Sequence, residues 1–236
     1  MESKFYRPDE HRAEKVRELF ATIAHRYDLL NDLMSAGMHR RWKRRLVELA
    51  GNPRDVLDLC CGTGDIARMF RAHVVGVDFT HEMLQVARRR RPPTLLQLVQ
   101  ADALRLPFLD NSFDVVSVGY GLRNLADVEH GLREMLRVLR PGGKLLSLDF
   151  GKPGSRWWRS IYFGYLRVVL PPLGWIFCGD PDTHGYILAS LRDYAAQHGI
   201  KELMEACGYR QCGLEEFVGG AMAINYGSKE LRGCPI

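Results

Sequence analysis

The stretch Val56-Leu57-Asp58-Leu59-Cys60-Cys61-Gly62-Thr63-Gly64-Asp65 combines the residue types that bring a ligand against bare backbone. An apolar run that ends in Gly-x-Gly and opens a helix presents N–H groups at the carboxyl end of a strand, and glycine lets that backbone come close. Asp78 closes the next apolar run, 20 residues after Asp58, where a carboxylate accepts hydrogen bonds from ribose hydroxyls. Gly62-Thr63-Gly64-Asp65-Ile66-Ala67 also satisfies the GxGxxA form of the dinucleotide fingerprint. At this point an NAD-type cofactor and other nucleoside cofactors both fit, and so does a plain tight turn.

Such residues work only if strands hold them in one row. Pro8-Asp9-Glu10 reads as a helix start, and Val16, Leu19, Phe20, Ile23 and Tyr27 follow at helical spacing. After the Ser35-Ala36-Gly37 turn a second helix is predicted, with Trp42, Leu46 and Leu49 inward and Arg41, Lys43, Arg44 and Arg45 outward. From residue 55 strands and helices alternate. Strands are expected at 55–60, 73–78, 95–99, 113–118 and 144–150, with helices at 64–72, 80–91 and from Val128 to Leu139, the last stopped by Pro141-Gly142-Gly143. This rhythm implies βαβ crossovers and a parallel sheet covered on both faces. Residues 151–195 interrupt it with aromatic, proline-rich sequence. A helix near 197–207 and β-prone stretches at 209–218 and 221–226 then close the chain around Gly219-Gly220, which suits one antiparallel strand.

The 236 residues are 46% hydrophobic and 26% charged, which fits a single α/β domain over 1–236 and argues against disorder. Within it, helices are expected over 9–50 and a substrate-side insertion over 151–195. The net charge of +5 is concentrated at 39–45 (HRRWKRR) and 88–91 (RRRR), runs that read first as solvated helix faces. Six cysteines without a CxxC pair point to a reduced, cytoplasmic protein with no metal site. The charged start lacks the apolar core of a signal peptide. The aromatic stretch at 157–177 is broken by Arg159, Arg167 and Pro171-Pro172, so it is not expected to span a bilayer.

Downstream of the glycine loop come Gln100-Ala101-Asp102-Ala103-Leu104, Leu106-Pro107-Phe108, Asp110-Asn111-Ser112-Phe113-Asp114 and Arg137-Val138-Leu139-Arg140-Pro141-Gly142-Gly143. This ordered set resembles the class I S-adenosylmethionine-dependent methyltransferases. The resemblance implies a Rossmann-like α/β fold, with a seven-stranded, mostly parallel sheet and an antiparallel last strand. It implies that Asp58, Gly62, Thr63 and Gly64 form the cofactor loop, passing under the methionine portion of S-adenosylmethionine. Asp78 would then hold the ribose, and Asp102 and Ala103 would frame the adenine. Cys60 stands where that superfamily usually has glycine, so a less close backbone approach is expected there.

A narrower resemblance covers nearly the whole chain. It is carried by Val16-Arg17-Glu18-Leu19-Phe20 through Tyr27-Asp28 and Asn31-Asp32, by Ser35-Ala36-Gly37-Met38-His39 and Trp42-Lys43, by Gly119-Tyr120-Gly121-Leu122-Arg123-Asn124, by Leu148-Asp149-Phe150-Gly151-Lys152-Pro153, and by Gly179-Asp180-Pro181-Asp182. These motifs resemble the menaquinone/ubiquinone C-methyltransferases. Cys60-Cys61, Gly119-Tyr120 and Leu148-Asp149-Phe150 look closer to the phylloquinone branch. Gly119 occupies a cofactor position where the ubiquinone branch usually has serine. The implied reaction is C-methylation of a demethylated prenylquinol, demethylmenaquinol above all.

That chemistry needs an electron-rich ring carbon held in line with the methyl–sulfur bond, water excluded, and phenolate character stabilised. Arg123 is the candidate cation for the oxyanion, and Asn124 and Tyr27 could orient a water or the quinol hydroxyl. Arginine stays protonated, so a water-relayed proton transfer is expected rather than abstraction by Arg123. His39 titrates in a suitable range, although a histidine beside a basic helix is more often structural.

A methyltransferase for RNA or protein would use the basic runs, but no RNA-binding module is visible and no nucleic-acid partner is expected. An NAD-dependent oxidoreductase lacks a second nucleotide half, and a scaffold without activity fits poorly with intact Asp78 and Asp102. Aromatics mixed with arginine at 155–177 suit the lipid headgroup region, which predicts weak peripheral contact with the inner face of a membrane, or else a pocket wall.

Overall fold

Runs rich in Val and Leu form the strands because both of their faces can be buried. The computed structural model describes residues 12–90, 95–178 and 182–231. The expected helix start at Pro8-Asp9-Glu10, Pro92-Pro93, the Gly179-Asp180-Pro181 motif and Cys234 lie outside the described residues. The strands are β1 (Asp55–Leu59), β2 (His73–Asp78), β3 (Leu96–Gln100), β4 (Phe113–Gly119), β5 (Leu139–Phe150), β6 (Arg210–Phe217) and β7 (Met222–Ser228). They make one seven-stranded sheet in the order β3-β2-β1-β4-β5-β7-β6. β1 to β5 pair in parallel, while β7 runs antiparallel to both β5 and β6. The expected antiparallel strand is therefore present, inserted beside β5 rather than at the edge.

Helices α1 (Arg12–Ile23), α2 (Tyr27–Ser35), α3 (His39–Ala50), α4 (His81–Arg89), α5 (Val128–Val138), α6 (Arg156–Cys178), α7 (Asp182–Asp193) and α8 (Ala196–Ala206) complete the fold. Alternation along the strands divides the core. Leu57, Leu59, Val116 and Val118 join one buried cluster with Leu132, Met135, Ile200 and Met204. Val56, Val74 and Val115 join another with Trp42, Leu46, Ile66 and Phe70. The strand order reverses beside β1, and the carboxyl ends of β1, β2 and β4 meet there, at the switch point where open α/β sheets bind ligands.

Three local expectations are corrected. Residues 64–72 form turns and one short 3₁₀ turn, Ala67–Met69, because Gly64 at φ 81° departs from helical backbone and three residues suffice to bury Ile66 and Ala67. Pro141-Gly142-Gly143 lies inside β5, since the helix before it ends at Val138 and the strand begins at once. Tyr27 does not continue α1 but opens α2, across a turn in which the Arg26 amide bonds to the Ile23 carbonyl at 2.9 Å. The 23 residues of α6 run through Pro171 and Pro172. Among the described residues, no helix is long and apolar enough to cross a membrane.

Candidate active site

After β1 the backbone turns through left-handed conformations at Cys60 (φ 52°), Gly62 (φ 55°) and Gly64 (φ 81°). Cys60 thus takes the conformation that favours glycine, and its side chain does not loosen the turn. Gly121 makes this possible, because a Cβ there would fall 2.4 Å from the Cys60 Cβ. Asp78, at the end of β2, accepts hydrogen bonds from the Gly62 amide and the Thr80 amide, each at 2.8 Å. Burial raises its pKa, and these amides act against that rise by favouring the charged form. Each oxygen retains acceptor capacity.

Asp78 lines a cavity of about 120 Å³ together with Gly62, Asp102, Ala103, Gly119, Tyr27 and Asn124. Asp102 is shaped by its own turn, Oδ1 accepting from the Leu104 amide at 2.9 Å. Gly119 has its side-chain space filled, since a Cβ there would meet Ile66 Cδ1 at 2.3 Å. A smaller cavity of about 30 Å³ adjoins the first through Tyr27, Cys60, Gly62, Gly119 and Tyr120, and is lined by Asp58, Thr63, Asp65 and Lys43. Asp58 is buried at the end of β1. Its Oδ1 accepts from Ser117 Oγ at 2.6 Å, its Oδ2 has no partner, and burial pushes its carboxyl up to about 7. Thr63 Oγ1 donates to Asp28 Oδ1 at 2.9 Å. Gly64 lines neither cavity; it faces Ala87 of α4, 3.5 Å from where its Cβ would stand.

Beyond Tyr27 and Tyr120 lies a chamber of about 20 Å³ bounded by Asn31, Met34, Arg123, Phe150 and Tyr186. Arg123 is 3% exposed, and its Nη1 donates to Asp149 Oδ1 at 2.5 Å and to the Tyr120 carbonyl at 2.8 Å. Its Nη2 donates to Tyr186 Oη at 3.1 Å, and its guanidinium stacks 4.8 Å from the Phe150 ring centroid. Burial works to lower the Arg123 pKa, but the Asp149 carboxylate outweighs it and holds the guanidinium charged. Asn124 donates to the Tyr120 carbonyl at 3.2 Å and leaves its Oδ1 buried without a partner. Burial raises the Tyr27 phenol, which stays protonated. Tyr27 therefore borders both cavities, with Asn124 on the Asp78 side and Arg123, already engaged by a carboxylate, on the chamber side.

An outer cavity of about 380 Å³ follows, lined by Leu33, Met34, Met38, Trp42, Tyr162 and Leu166, with Tyr120, Phe150 and Asn31 shared with the chamber. His39 lies on its wall, its Nε2 2.8 Å from Asp32 Oδ1 and its pKa lowered by burial. That places His39 in the outer cavity's wall rather than in the chamber.

Sequence reasoning assigned no role in the site to Tyr120, Asp149 and Lys43, which it met only as parts of motifs, and did not single out Tyr186. Tyr120 lines all four cavities and sits at φ 61°. Lys43 was expected on the outer face of its helix, yet it is 3% exposed and its Nζ lies 3.1 Å from Asp65 Oδ2. The signal was present: His39, Trp42, Lys43, Leu46 and Ala50 share the i, i+3, i+4 spacing of one buried face, and the run of charges concealed it. Nor are the basic runs only solvated. Arg45 pairs with Glu215 at 2.7 Å, and Arg90 binds Asp65 at 2.9 Å and also Asp28.

Solved structures with this fold include a SAM-dependent methyltransferase from Thermotoga maritima, with a TM-score of 0.68, 19% identity, and 90% of this chain and 99% of that chain covered. Phosphoethanolamine N-methyltransferase 2 of Haemonchus contortus, in complex with S-adenosyl-L-methionine, gives a TM-score of 0.60 at 18% identity, covering 80% of this chain and 52% of that one. Similarity in sequence is much higher elsewhere. The ubiquinone/menaquinone biosynthesis C-methyltransferase UbiE of Stutzerimonas stutzeri is 39% identical over 234 residues, 94% of this chain and 91% of that protein. The protein of the same name from Idiomarina loihiensis is 40% identical over 226 residues, 91% of this chain and 90% of its own length. The model of the ubiE/COQ5 methyltransferase family matches residues 9–229. With the glycine loop, Asp78 and the Gly119–Asn124 turn all brought to one rim, this chain belongs to the ubiE/COQ5 methyltransferase family.

Proposed function

We propose that this protein transfers the methyl group of S-adenosylmethionine to a ring carbon of a demethylated prenylquinol, with demethylmenaquinol as the acceptor. The observation that carries the reading is the line of cavities: one at Asp78 and Asp102, an aromatic chamber at Arg123, then an apolar passage toward the surface. When bound, the cofactor supplies a methyl group activated by its sulfonium.

The residues fit that group. Asp78 has lone pairs left for the ribose hydroxyls, Asp102 and Ala103 would border the base, and Gly62 leaves the space beside Tyr27 and Met83 free of a side chain. In the chamber the Arg123 charge and the Tyr186 hydroxyl it holds favour an acceptor oxygen that has lost its proton, which pushes electron density onto the neighbouring carbon. That carbon would take the methyl as the methyl–sulfur bond breaks to leave the thioether, and its own proton would then return to the oxygen to restore the quinol. Asn124 Oδ1, buried without a hydrogen-bond partner, suits an ordered water that carries the phenolic proton away, and Asn31 stands beside Tyr27 on the chamber wall. Tyr27 and Tyr120 shape the boundary across which acceptor carbon and methyl meet. The naphthoquinol preference rests on the Cys60-Cys61, Gly119-Tyr120 and Leu148-Asp149-Phe150 signatures. Incubation with methyl-labelled cofactor and a panel of chemically reduced demethylated quinones is expected to give a labelled naphthoquinol. Preferred labelling of a benzoquinol would refute that preference, and no labelled quinol at all would refute the function.

The surface around the outer cavity supports contact with membrane. Trp157, Ile161, Tyr165, Val168 and Ile176 recur every three or four residues along α6 or a multiple of that spacing, and all are exposed, Trp157 by 73%. Leu33 and Met38 are exposed beside them at the cavity's mouth, and Arg156, Arg159 and Arg167 are exposed on the same helix. An apolar stripe with arginines lies in an anionic lipid surface without crossing it. Trp158 is different, since its Nε1 donates to the Val218 carbonyl at 2.8 Å and ties α6 to the β6–β7 turn. The protein is expected to sediment with anionic vesicles at low salt and to be released by high salt. Trp157→Ser should weaken sedimentation without lowering the melting temperature. Failure of the wild type to sediment at low salt would reduce the stripe to a pocket wall.

A further inference from the structure

Lys43 is the one buried cation on the small cavity beside the glycine loop, among the residues that line it. An ammonium out of water is costly unless its donors are used. Lys43 has three N–H donors, and among the described residues its one hydrogen-bond partner is Asp65 Oδ2 at 3.1 Å. Asp65 does not depend on it, because Oδ1 already takes Arg90 Nη1 at 2.9 Å. The other side of the ammonium faces the Tyr120 ring, whose centroid is 5.8 Å away. Across the same cavity stands Asp58, with an oxygen that has no partner. A fixed cation and a fixed carboxyl thus border one small space, which opens onto the Asp78 cavity past Gly62 and Gly119.

That pattern is complementary to a zwitterion, the α-amino acid end of a nucleoside cofactor. We infer that Lys43 is the residue that binds the α-carboxylate of S-adenosylmethionine, with Asp58 opposite it taking the α-ammonium. The assignment rests on the cofactor reading above and extends it to a residue on α3, outside the glycine loop. It also accounts for the placement of α2 and α3, which close the methionine end, so cofactor binding and the order of the N-terminal helices are linked.

The test compares two ligands that differ only in this end. S-adenosylhomocysteine carries the amino acid, and 5′-methylthioadenosine stops at the thioether. Calorimetry on the full chain is expected to show Lys43→Met weakening S-adenosylhomocysteine about 10- to 100-fold, the worth of one charge-assisted hydrogen bond. Affinity for 5′-methylthioadenosine should change less than about twofold, within the error of such a neutral change. The carboxamide of S-adenosylhomocysteine, offered to the wild type, should lose a similar factor and lose nothing further on Lys43→Met. This arm needs no variant to fold. Equal affinity of wild type for carboxylate and carboxamide would overturn the assignment, as would parallel loss of both ligands by a folded Lys43→Met. Failure of the wild type to bind S-adenosylhomocysteine at all would instead overturn the cofactor reading.

Discussion

Replacing Arg123 by alanine is expected to cost about 10²–10³ in turnover on a reduced demethylated quinone, the usual effect of losing one oxyanion-stabilising donor. The same change should destabilise the protein by about 3–5 kcal/mol, because it leaves Asp149 buried without its cation. Asp149 is 4% exposed and takes both the Arg123 guanidinium and the Arg123 amide, at 2.5 and 3.2 Å. Two effects in one variant are hard to read, so Arg123→Lys separates them. Lysine keeps the charge beside Asp149 but lacks the planar fork that also reaches Tyr186. It should recover most of the stability and little of the turnover, while S-adenosylhomocysteine affinity stays near wild type, since Arg123 lies outside the Asp78 cavity. Steady-state kinetics, a urea titration and calorimetry on the two variants would decide it. Wild-type turnover by Arg123→Lys would remove Arg123 from the reaction and leave it as a strut between β5 and the loop after β4.

The ligand-free protein should lose stability between pH 4 and pH 7 through Asp58, and Asp58→Asn should abolish that loss. Burial is the main cause of the shift, and it places the carboxyl near 7 against an ordinary 3.8. The native state therefore binds more protons than the unfolded chain across this window, and stability falls as pH rises. The contribution is intact below about pH 4 and gone above about pH 7, with an upper limit of about 4 kcal/mol at 1.36 kcal/mol per unit. Asparagine keeps the shape and can still accept from Ser117, so Asp58→Asn should be the more stable protein at pH 8 without ligand. It should also bind S-adenosylhomocysteine more weakly, because an amide does not neutralise an ammonium. Urea unfolding of both proteins at pH 5, 6, 7 and 8 measures the difference. Parallel curves would show that Asp58 does not titrate in this range.

The two predictions concern residues that were unequally visible before the fold was known. Asp58 could be placed from its neighbours alone: an apolar run, then glycines, sets a carboxyl at the end of a buried strand. Arg123 could be placed on a loop at the rim, but its ion pair could not. Asp149 is 26 positions away and Tyr186 is 63, on separate elements. Nothing local ties them together. Tyr186 lies in the stretch that reads only as an insertion, and its helix carries no motif that marks one tyrosine over another.

By itself the sequence determined the alternation of five strands with two of their three expected helices, the reversal near the end, and the loop that presents Gly62 to Asp78. It did so because hydrophobic periodicity records whether a residue is buried on its own element, and because glycines and acids at strand ends act within a few residues of themselves. Only the tertiary structure decided that a lysine, Lys43, would be buried on the inward face beside Trp42 and Leu46, and which distant groups neutralise one another, as at Arg123. It also decided that Tyr120 would border every cavity from cofactor site to surface. The physical reason is that burying a charge costs several kcal/mol unless a partner waits for it, and the partners here come from elements that meet only once the sheet has formed.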